Sequence, residues 1–342
     1  MGKIQTSFPT SIHINKFSTR LGRYGIFPST SIKDYQSFYR FHFGKVWNLP
    51  TTSIYLNTFF NIVLVMSEHI IEALGLSKVT IKDGKVIDVT EPEVTYCPLF
   101  DHHRGIKKLT TDVIAKNIQF RIDDFGMCTP NRQLRMKDFL NFGISEIMCT
   151  LLDENVIDSV VMVLEGCGTL IVTEPELVQG IGGRVSGLVR TSPIPELIAK
   201  IGEENIVYPE TAEINQVEGI KLAIEKGFKN IAVTVALASD ADRIRTLQNE
   251  NPDVNIYVFV VHTSKRTPEE ARKLFDICDV ATGCASKNIR EIGEEESIKT
   301  VGQSIPIYAR TESGKKFLEM RLEKIGGEKP KKDNLDLPYP LI

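Results

Sequence analysis

Residues 230–270 read NIAVTVALASDADRIRTLQNENPDVNIYVFVVHTSKRTPEE and predict a strand, a helix and a second strand. The segments 230–235 and 254–261 are short and apolar, as buried strands are. After the second strand, Thr267-Pro268-Glu269-Glu270 has the pattern of a capping box with proline at the first helical position. This stretch therefore establishes an order of strand, polar loop and capped helix.

The same order continues along much of the chain, because three further short apolar segments are followed by polar loops, at 158–164, 278–281 and 305–308. Such alternation is typical of parallel sheets with helices on their faces. We predict an α/β fold with a mostly parallel sheet covered by helices in Rossmann-like layers.

The part of the chain before residue 156 predicts a different mixture of elements. An N-terminal β-hairpin is predicted over 78–89, where apolar and polar residues alternate on both sides of Asp83-Gly84, a pair that favours a type I′ turn. Residues 66–71 resemble a capped helix start, and helices are also predicted at 106–118 and 136–152.

Four segments follow from these patterns. Residues 1–65 carry seven Lys or Arg, a single acid and 13 of the 27 aromatic residues. They are either a basic arm that binds a partner or a membrane surface, or a stretch outside the native fold. We favour the second interpretation, in which the native protein starts at Met66. The other segments are a hairpin and Cys/His/Arg-rich loop region at 66–155, a layered α/β domain at 156–325 and a flexible tail at 326–342.

The overall charge excludes several classes of partner. The chain of 342 residues has 41 basic and 44 acidic side chains, so its net charge of −3 gives no field that attracts nucleic acid or an anionic membrane. Neither an export signal nor a membrane-spanning helix is evident, which predicts a cytoplasmic protein with reduced thiols. We therefore expect no nucleic-acid and no membrane partner.

The predicted topology brings polar side chains to one edge of the sheet. Ligands of open α/β sheets bind at the carboxyl ends of parallel strands, so residues that follow different strands converge there. Glu165, His262 and Lys287 occupy such positions and are candidates to move protons. Further polar residues after these strands are Cys167, Ser239, Asp240, Lys265, Arg266, Cys284 and Ser286.

Two polar loops carry further candidate residues. Residues 97–105 contain Cys97, His103 and Arg104, which suit a nucleophile, a metal half-site or an anion clamp, although a surface loop explains them as well. Residues 123–132 contain candidates of the same kinds, which suit a cation site, a proton-sharing pair or an anion contact, with an ordinary turn as the alternative: Asp124, Cys128 and Arg132.

A glycine-rich stretch at 180–187 predicts an anion site. Closely spaced glycines let backbone amides approach an anion, and a neighbouring arginine and serine add contacts. The pattern matches neither a Walker A motif nor GxGxxG, and a helix end is the alternative. The residues expected to bind the anion here are Gly180, Gly182, Gly183, Arg184 and Ser186.

The six cysteines contain no CxxC pair, which disfavours a structural zinc site or a common ferredoxin cluster. Four of them lie in loops and are candidate ligands of a soft metal or a cluster: Cys97, Cys128, Cys167 and Cys284.

The chain resembles the methanogen-restricted family called methanogenesis marker protein 8. The matching stretches are 97–105, 123–132, 180–195 and 284–290. The resemblance implies an archaeal, anaerobic, cytoplasmic setting and a link to methane metabolism. It carries no assigned reaction or catalytic residue, so the cofactor stays unknown.

These patterns together favour an accessory protein of methanogenesis that binds an anionic small molecule or methanogenic cofactor, then processes or delivers it. A methanogenesis enzyme assembly is a further expected partner. The loop cysteines support an alternative, a thiol or iron–sulfur redox or maturation protein. A non-enzymatic assembly or scaffold subunit is the third hypothesis.

Overall fold

Two sheets of four and seven strands organise the part of the chain that the computed structural model describes, residues 67–138, 142–184, 187–328 and 336–342. All of it belongs to the unit Ser67–Ile342. The interpretation of residues 1–65 concerns a stretch outside the described residues. Within the described ranges, no helix is both long and apolar enough to cross a membrane.

The elements follow one another in a regular order. The strands are β1 (Glu68–Glu72), β2 (Lys78–Lys82), β3 (Lys85–Val89), β4 (Ser159–Leu164), β5 (Gly168–Val172), β6 (Gly187–Thr191), β7 (Asn230–Val235), β8 (Asn255–Val260), β9 (Val280–Thr282), β10 (Lys299–Val301) and β11 (Ile307–Ala309). The α-helices are α1 (Pro98–Arg104), α2 (Thr111–Phe125), α3 (Ile144–Asp153), α4 (Pro175–Gly182), α5 (Pro195–Ile201), α6 (Gln216–Glu225), α7 (Ala241–Glu250), α8 (Pro268–Ile277), α9 (Lys287–Glu296) and α10 (Glu312–Lys324).

The seven-stranded sheet has the order β10-β11-β9-β8-β7-β4-β5. Its central strands β4, β7, β8 and β9 are parallel, whereas β5, β11 and β10 add in antiparallel orientation. The α/β class is therefore confirmed, but the sheet is mixed. The parallel order holds only at its centre. At one edge, β5 is antiparallel because it returns directly from β4 through a tight turn in which Gly166 and Gly168 have positive φ.

Helices cover both faces of this sheet. Successive residues of β4 point to opposite sides, and Val160 packs with α3, α4 and α10 while Val161 packs with α6 to α9. Both clusters are almost completely buried, so each face contributes to stability by removing apolar surface from water. Thr267 and Glu270 form the predicted capping box at the start of α8.

The four-stranded sheet is antiparallel, in the order β3-β2-β1-β6. Asp83 and Gly84 join β2 to β3, and both have positive φ, as a type I′ turn requires. Ile71 and Ile81 on one face of the sheet pack against Ile118 of α2, in a third apolar cluster.

Several predicted elements near the beginning of this unit were wrong. The expected helix start at 66–71 is strand β1, in which the buried His69 and Ile71 alternate with half-buried neighbours. The predicted loop at 97–105 contains helix α1, which begins with Pro98. The following helices begin later than predicted, since α2 spans Thr111–Phe125 and α3 spans Ile144–Asp153.

Residues 336–342 are attached to the rest of the unit, in contrast to the flexible tail that the sequence predicts. The carbonyl oxygen of Tyr339 accepts hydrogen bonds from Thr95 and Tyr96, at 2.7 and 3.0 Å. The amide of Ile342 donates to Ala285, at 2.8 Å. Local sequence does not reveal these bonds because their partners lie far away along the chain.

Candidate functional site

Strands β1 and β6 lie across the carboxyl ends of the parallel strands. Near the end of β4, the Gly166 amide donates to the Thr191 hydroxyl at 2.7 Å, and this hydroxyl lies 2.6 Å from Nδ1 of His69. Near the end of β8, a Cβ added to Gly187 would lie 3.4 Å from Glu72 and 3.5 Å from the ring of His262. The small sheet thus covers the edge at which the sequence places the site.

Three ionisable residues lie near one another where the small sheet covers this edge, and we call Glu72, His262 and Arg266 the edge site. His262 follows β8 and has a φ of +52°, a conformation that is costly for a residue with a Cβ atom. Burial lowers the pKa of His262 to about 4, and the nearby Arg266 lowers it further. At neutral pH the imidazole is therefore uncharged and can take part in hydrogen bonds.

Arg266 is a half-buried cation without a carboxylate partner. One Nη2 bond, of 3.2 Å, goes to the carbonyl oxygen of His262. Its Nε is buried and makes no hydrogen bond to the described residues. None of the ion pairs found within these residues includes Arg266.

Glu72 is the acidic member of the edge site. Burial raises its pKa, while Arg266 and Lys78 lower it and Glu93 raises it further. Within the described part of the chain, its carboxylate forms neither a side-chain hydrogen bond nor an ion pair within 4.0 Å. Glu72 and Arg266 therefore influence each other without direct contact.

A second buried cation lies beside the end of β9. Arg290 donates from Nε and Nη2 to the carbonyl oxygen of Cys284, at 3.0 and 2.6 Å, and from Nη2 to Ser304 at 2.8 Å. Cys284 has a φ of +34°, and its Sγ lies 3.3 Å from Oγ1 of Thr282. Burial raises the pKa of the Cys97 thiol, to which Cys284 and Arg290 are the neighbouring ionisable groups.

The segment 336–342 lies over the same region. The Ile342 carbonyl oxygen accepts hydrogen bonds from the amides of Lys265 and Lys287, at 3.2 and 3.1 Å. These amides belong to the loop after β8 and to the first residue of α9. Their side chains are exposed, with Lys265 paired to Glu93 at 2.6 Å and Lys287 lying 3.9 Å from Glu291.

Arg132 and Glu165 form a buried ion pair rather than an open anion site. Arg132 is only 2% exposed and donates from Nε to Glu165 at 2.6 Å. It also donates to the carbonyl oxygens of Gln133 and Gly180, at 2.5 and 3.0 Å. These bonds leave Arg132 directed into the fold, which corrects the expectation that its guanidinium faces a ligand.

The cysteines near Glu165 are also enclosed. Burial and the charge of Glu165 raise the pKa of the Cys128 and Cys167 thiols strongly, so both are protonated at neutral pH. The four candidate metal ligands thus divide between two places, Cys97 with Cys284 and Cys128 with Cys167. Within the described ranges, no three His, Cys, Asp or Glu side chains are grouped as metal ligands.

The glycines predicted to approach an anion instead allow close packing. Gly180 and Gly182 belong to α4, where a Cβ at Gly180 would clash with the carbonyl group of Leu134. A Cβ at Gly182 would lie 2.8 Å from Ser145 of α3, and one at Gly183 would lie 2.8 Å from Gln179.

Arg184 belongs to the surroundings of Arg132 rather than to those of Cys284. It donates to the side chain of Gln133 at 3.1 Å, and its guanidinium lies 5.0 Å from the ring centre of Phe125. Ser186 lies outside the described residues. Arg184 and Cys284 share no contacting residue. The candidate site residues therefore gather only in part at one edge of the sheet.

The remaining candidates are exposed. His103 lies edge-on to His102, with ring centres 4.8 Å apart, and Arg104 covers the ring of Phe120 at 4.8 Å. Asp124 lies in the last turn of α2. Two surface clefts, of about 280 and 350 Å³, are lined by residues other than those predicted for the site.

Sequence analysis did not select Glu72 or Arg266 as site residues. The sequence places Arg266 after its strand, but a half-buried arginine without an ion-pair contact among the described residues can be recognised only in three dimensions. Glu72 was overlooked because the strand that carries it was interpreted as a helix start.

Comparison with known proteins gives a family for this chain. Residues 69–323 match a family described as "Uncharacterized protein conserved in archaea (DUF2099)". The chain belongs to this archaeal family. All three residues of the edge site lie inside the matched range.

A relative supports the same membership. An uncharacterized protein of the methanogen Methanocaldococcus jannaschii is 42% identical over 286 residues, which cover 81% of this chain and 100% of the relative. No solved structure matches the chain. The narrower resemblance to methanogenesis marker protein 8 stays a prediction.

Replacing Gly180 by alanine tests whether this glycine serves packing. We expect Gly180→Ala to lower the free energy of unfolding by about 3 kcal/mol, because the new methyl group meets backbone that cannot move aside. Urea denaturation, monitored by circular dichroism, measures the change in the free energy of unfolding. As a control, Gly105→Ala has a positive φ but no atom within 4 Å, and should cost about 1 kcal/mol. Equal stability of the Gly180 variant and the native protein would contradict the packing role.

The buried His69 should make stability depend on pH. Burial lowers its pKa to about 4, against smaller opposing effects of Glu165 and Asp83. Between about pH 6.5 and 4 the unfolded chain takes up a proton that the folded protein does not, so stability is lost as the pH falls through this range. We expect His69 to account for about 3 kcal/mol of this loss.

Urea denaturation between pH 7 and 4.5 measures the effect. His69→Gln should reduce the slope of stability against pH, whereas His102→Gln, at an exposed position, should leave it unchanged. If both variants keep the native slope, the assignment to His69 is wrong.

Proposed function

We propose that the protein binds an anionic small molecule at the edge site and processes or delivers it as an accessory protein of methanogenesis. The main support is Arg266, a half-buried guanidinium whose Nε is buried without a partner. It forms no ion pair within 4.0 Å among the described residues, and Glu72 and Glu270 interact with it only at longer range. Arg132, by contrast, is neutralised by Glu165 and is not part of this proposal.

Electrostatics favour an anion at this edge. Arg266 and Arg290 both lie near the carboxyl ends of parallel strands, and neither has an ion-pair partner among the described residues. A buried cation without a counterion is costly, and a carboxylate or phosphate of a ligand would offset that cost. The two arginines therefore provide a binding energy that a neutral ligand would not use.

The neighbouring groups suit the orientation of a bound molecule. His262 is neutral at pH 7 because burial lowers its pKa to about 4, so it can exchange a hydrogen bond with the ligand without adding charge. Its backbone and that of Cys284 have positive φ, a conformation that folded proteins often retain near functional sites.

The biological setting of the proposal comes from the methanogen relative and from the resemblance to methanogenesis marker protein 8. Delivery would require a receiving partner, for which a methanogenesis enzyme assembly is the natural candidate.

A second candidate function is thiol chemistry. It is favoured by the proximity of Cys97, Cys284 and the cationic Arg290. Metal and sulfide analysis of protein purified without oxygen distinguishes the two functions, because colourless, metal-free protein that binds an anion supports the first and contradicts an iron–sulfur protein.

Replacing Arg266 by glutamine tests the proposed function. Isothermal titration calorimetry with inorganic phosphate and with succinate should show that the native protein binds at least one of them. Arg266→Gln should weaken that binding at least tenfold, because it removes the charge. Arg135→Gln, which removes an exposed arginine paired with Glu174, should leave the affinity unchanged.

Near-ultraviolet circular dichroism must show that both variants fold. Failure of the native protein to bind either anion, or equal affinity of the folded Arg266 variant, would contradict the proposal.

A further inference from the structure

The edge site contains an acid as well as a base, and they do not neutralise each other. Glu72 ends β1 and is paired in the sheet with Gly187, which separates it from the ring of His262. Arg266 approaches the same histidine from the following loop, through its bond to the His262 carbonyl oxygen. An acid and a cation therefore both lie close to His262, and each affects the other electrostatically.

Other shielded acids of this chain have direct partners. Glu165 lies 2.6 Å from Arg132, and Glu68, which is four residues before Glu72 in the same strand, lies 2.9 Å from Lys82. Glu72 has no cation within 4.0 Å among the described residues. The separation between Glu72 and Arg266 thus exceeds an ion-pair contact, although each affects the other electrostatically.

A purely anionic ligand would satisfy only half of this arrangement. Its acidic group would pair with Arg266, but the added negative charge would lie close to Glu72 and be repelled by it. A ligand with a protonated amine a few bonds from its acidic group would instead pair with both side chains. The neighbouring His262 is neutral and adds no charge that would disturb either contact.

We infer that the ligand of the edge site is zwitterionic, an amino-acid-like molecule whose acidic group pairs with Arg266 and whose ammonium group pairs with Glu72. This inference rests on the proposed function, since it assigns the class of ligand to the same site. The other charged groups near Glu72 are Lys78 and Glu93, and Glu93 is paired with Lys265.

Three matched pairs of ligands test the inference at pH 7, where the amines are protonated. Glycine is compared with acetate, aspartate with succinate, and glutamate with glutarate, so that each pair differs only by the ammonium group. Calorimetry on the full chain should show at least tenfold tighter binding of the amino acid in one pair or more.

Glu72→Gln should reduce this preference to less than twofold while the plain carboxylate keeps or gains affinity, because the repelling charge is removed. Glu68→Gln, in the same strand but paired with Lys82, is the matched control and should keep the preference. Arg266→Gln should weaken both members of a pair.

The outcomes separate this inference from the proposed function. Binding of carboxylates without preference for any amino acid would overturn the zwitterionic ligand and leave the anion site intact. A preference that persists in Glu72→Gln would also overturn it. Absence of binding by all six compounds and by phosphate would overturn both.

Discussion

The hydroxyl group of Thr191 joins the two sheets of the protein, and the position of the edge site depends on it. It accepts a hydrogen bond from Gly166, in the turn after β4, and lies within hydrogen-bonding distance of His69 in β1. The hydroxyl can also donate to the carbonyl oxygen of Ser192, at 3.4 Å, so it takes part in contacts from three segments. Burial keeps His69 neutral and so maintains this arrangement. Two strands of the small sheet are thereby fixed over the carboxyl ends of the large one.

The two groups of arginine in this fold show how structural and functional cations differ. Arg132 and Arg321 are buried, and each has a carboxylate partner, Glu165 and Asp138 respectively. In each pair, the attraction between the two charges offsets the free-energy cost of removing them from water. Arg266 and Arg290 lie at strand ends and interact with backbone oxygens. Arg266 and Arg290 form no ion pair among the described residues, so their charges are available to the proposed ligand, whereas the sequence presents all four arginines alike.

Much of the large sheet could be predicted from sequence because its strands are short apolar segments followed by strong helix signals. The capping box at Thr267 identified a helix start correctly, and the carboxyl-end rule placed His262 at the edge. The actual roles of Arg132 and Gly180 depend on contacts with distant segments of the chain. A local sequence pattern does not predict such contacts. β1 was misinterpreted because a serine followed by an acid resembles a helix cap, although alternating burial of His69 and Ile71 defines a strand.

The attachment of residues 336–342 has a consequence for the order of events during biosynthesis. Thr95 and Tyr339 are 244 positions apart, yet they hydrogen-bond to each other, and Ile342 contacts the loops after β8 and β9. Contacts of such large sequence separation form late, because a long loop must close before they contribute. Residues 336–342 must therefore have left the ribosome before this edge is enclosed. Any guest molecule would meet an open edge in the nascent protein and a covered one in the finished protein.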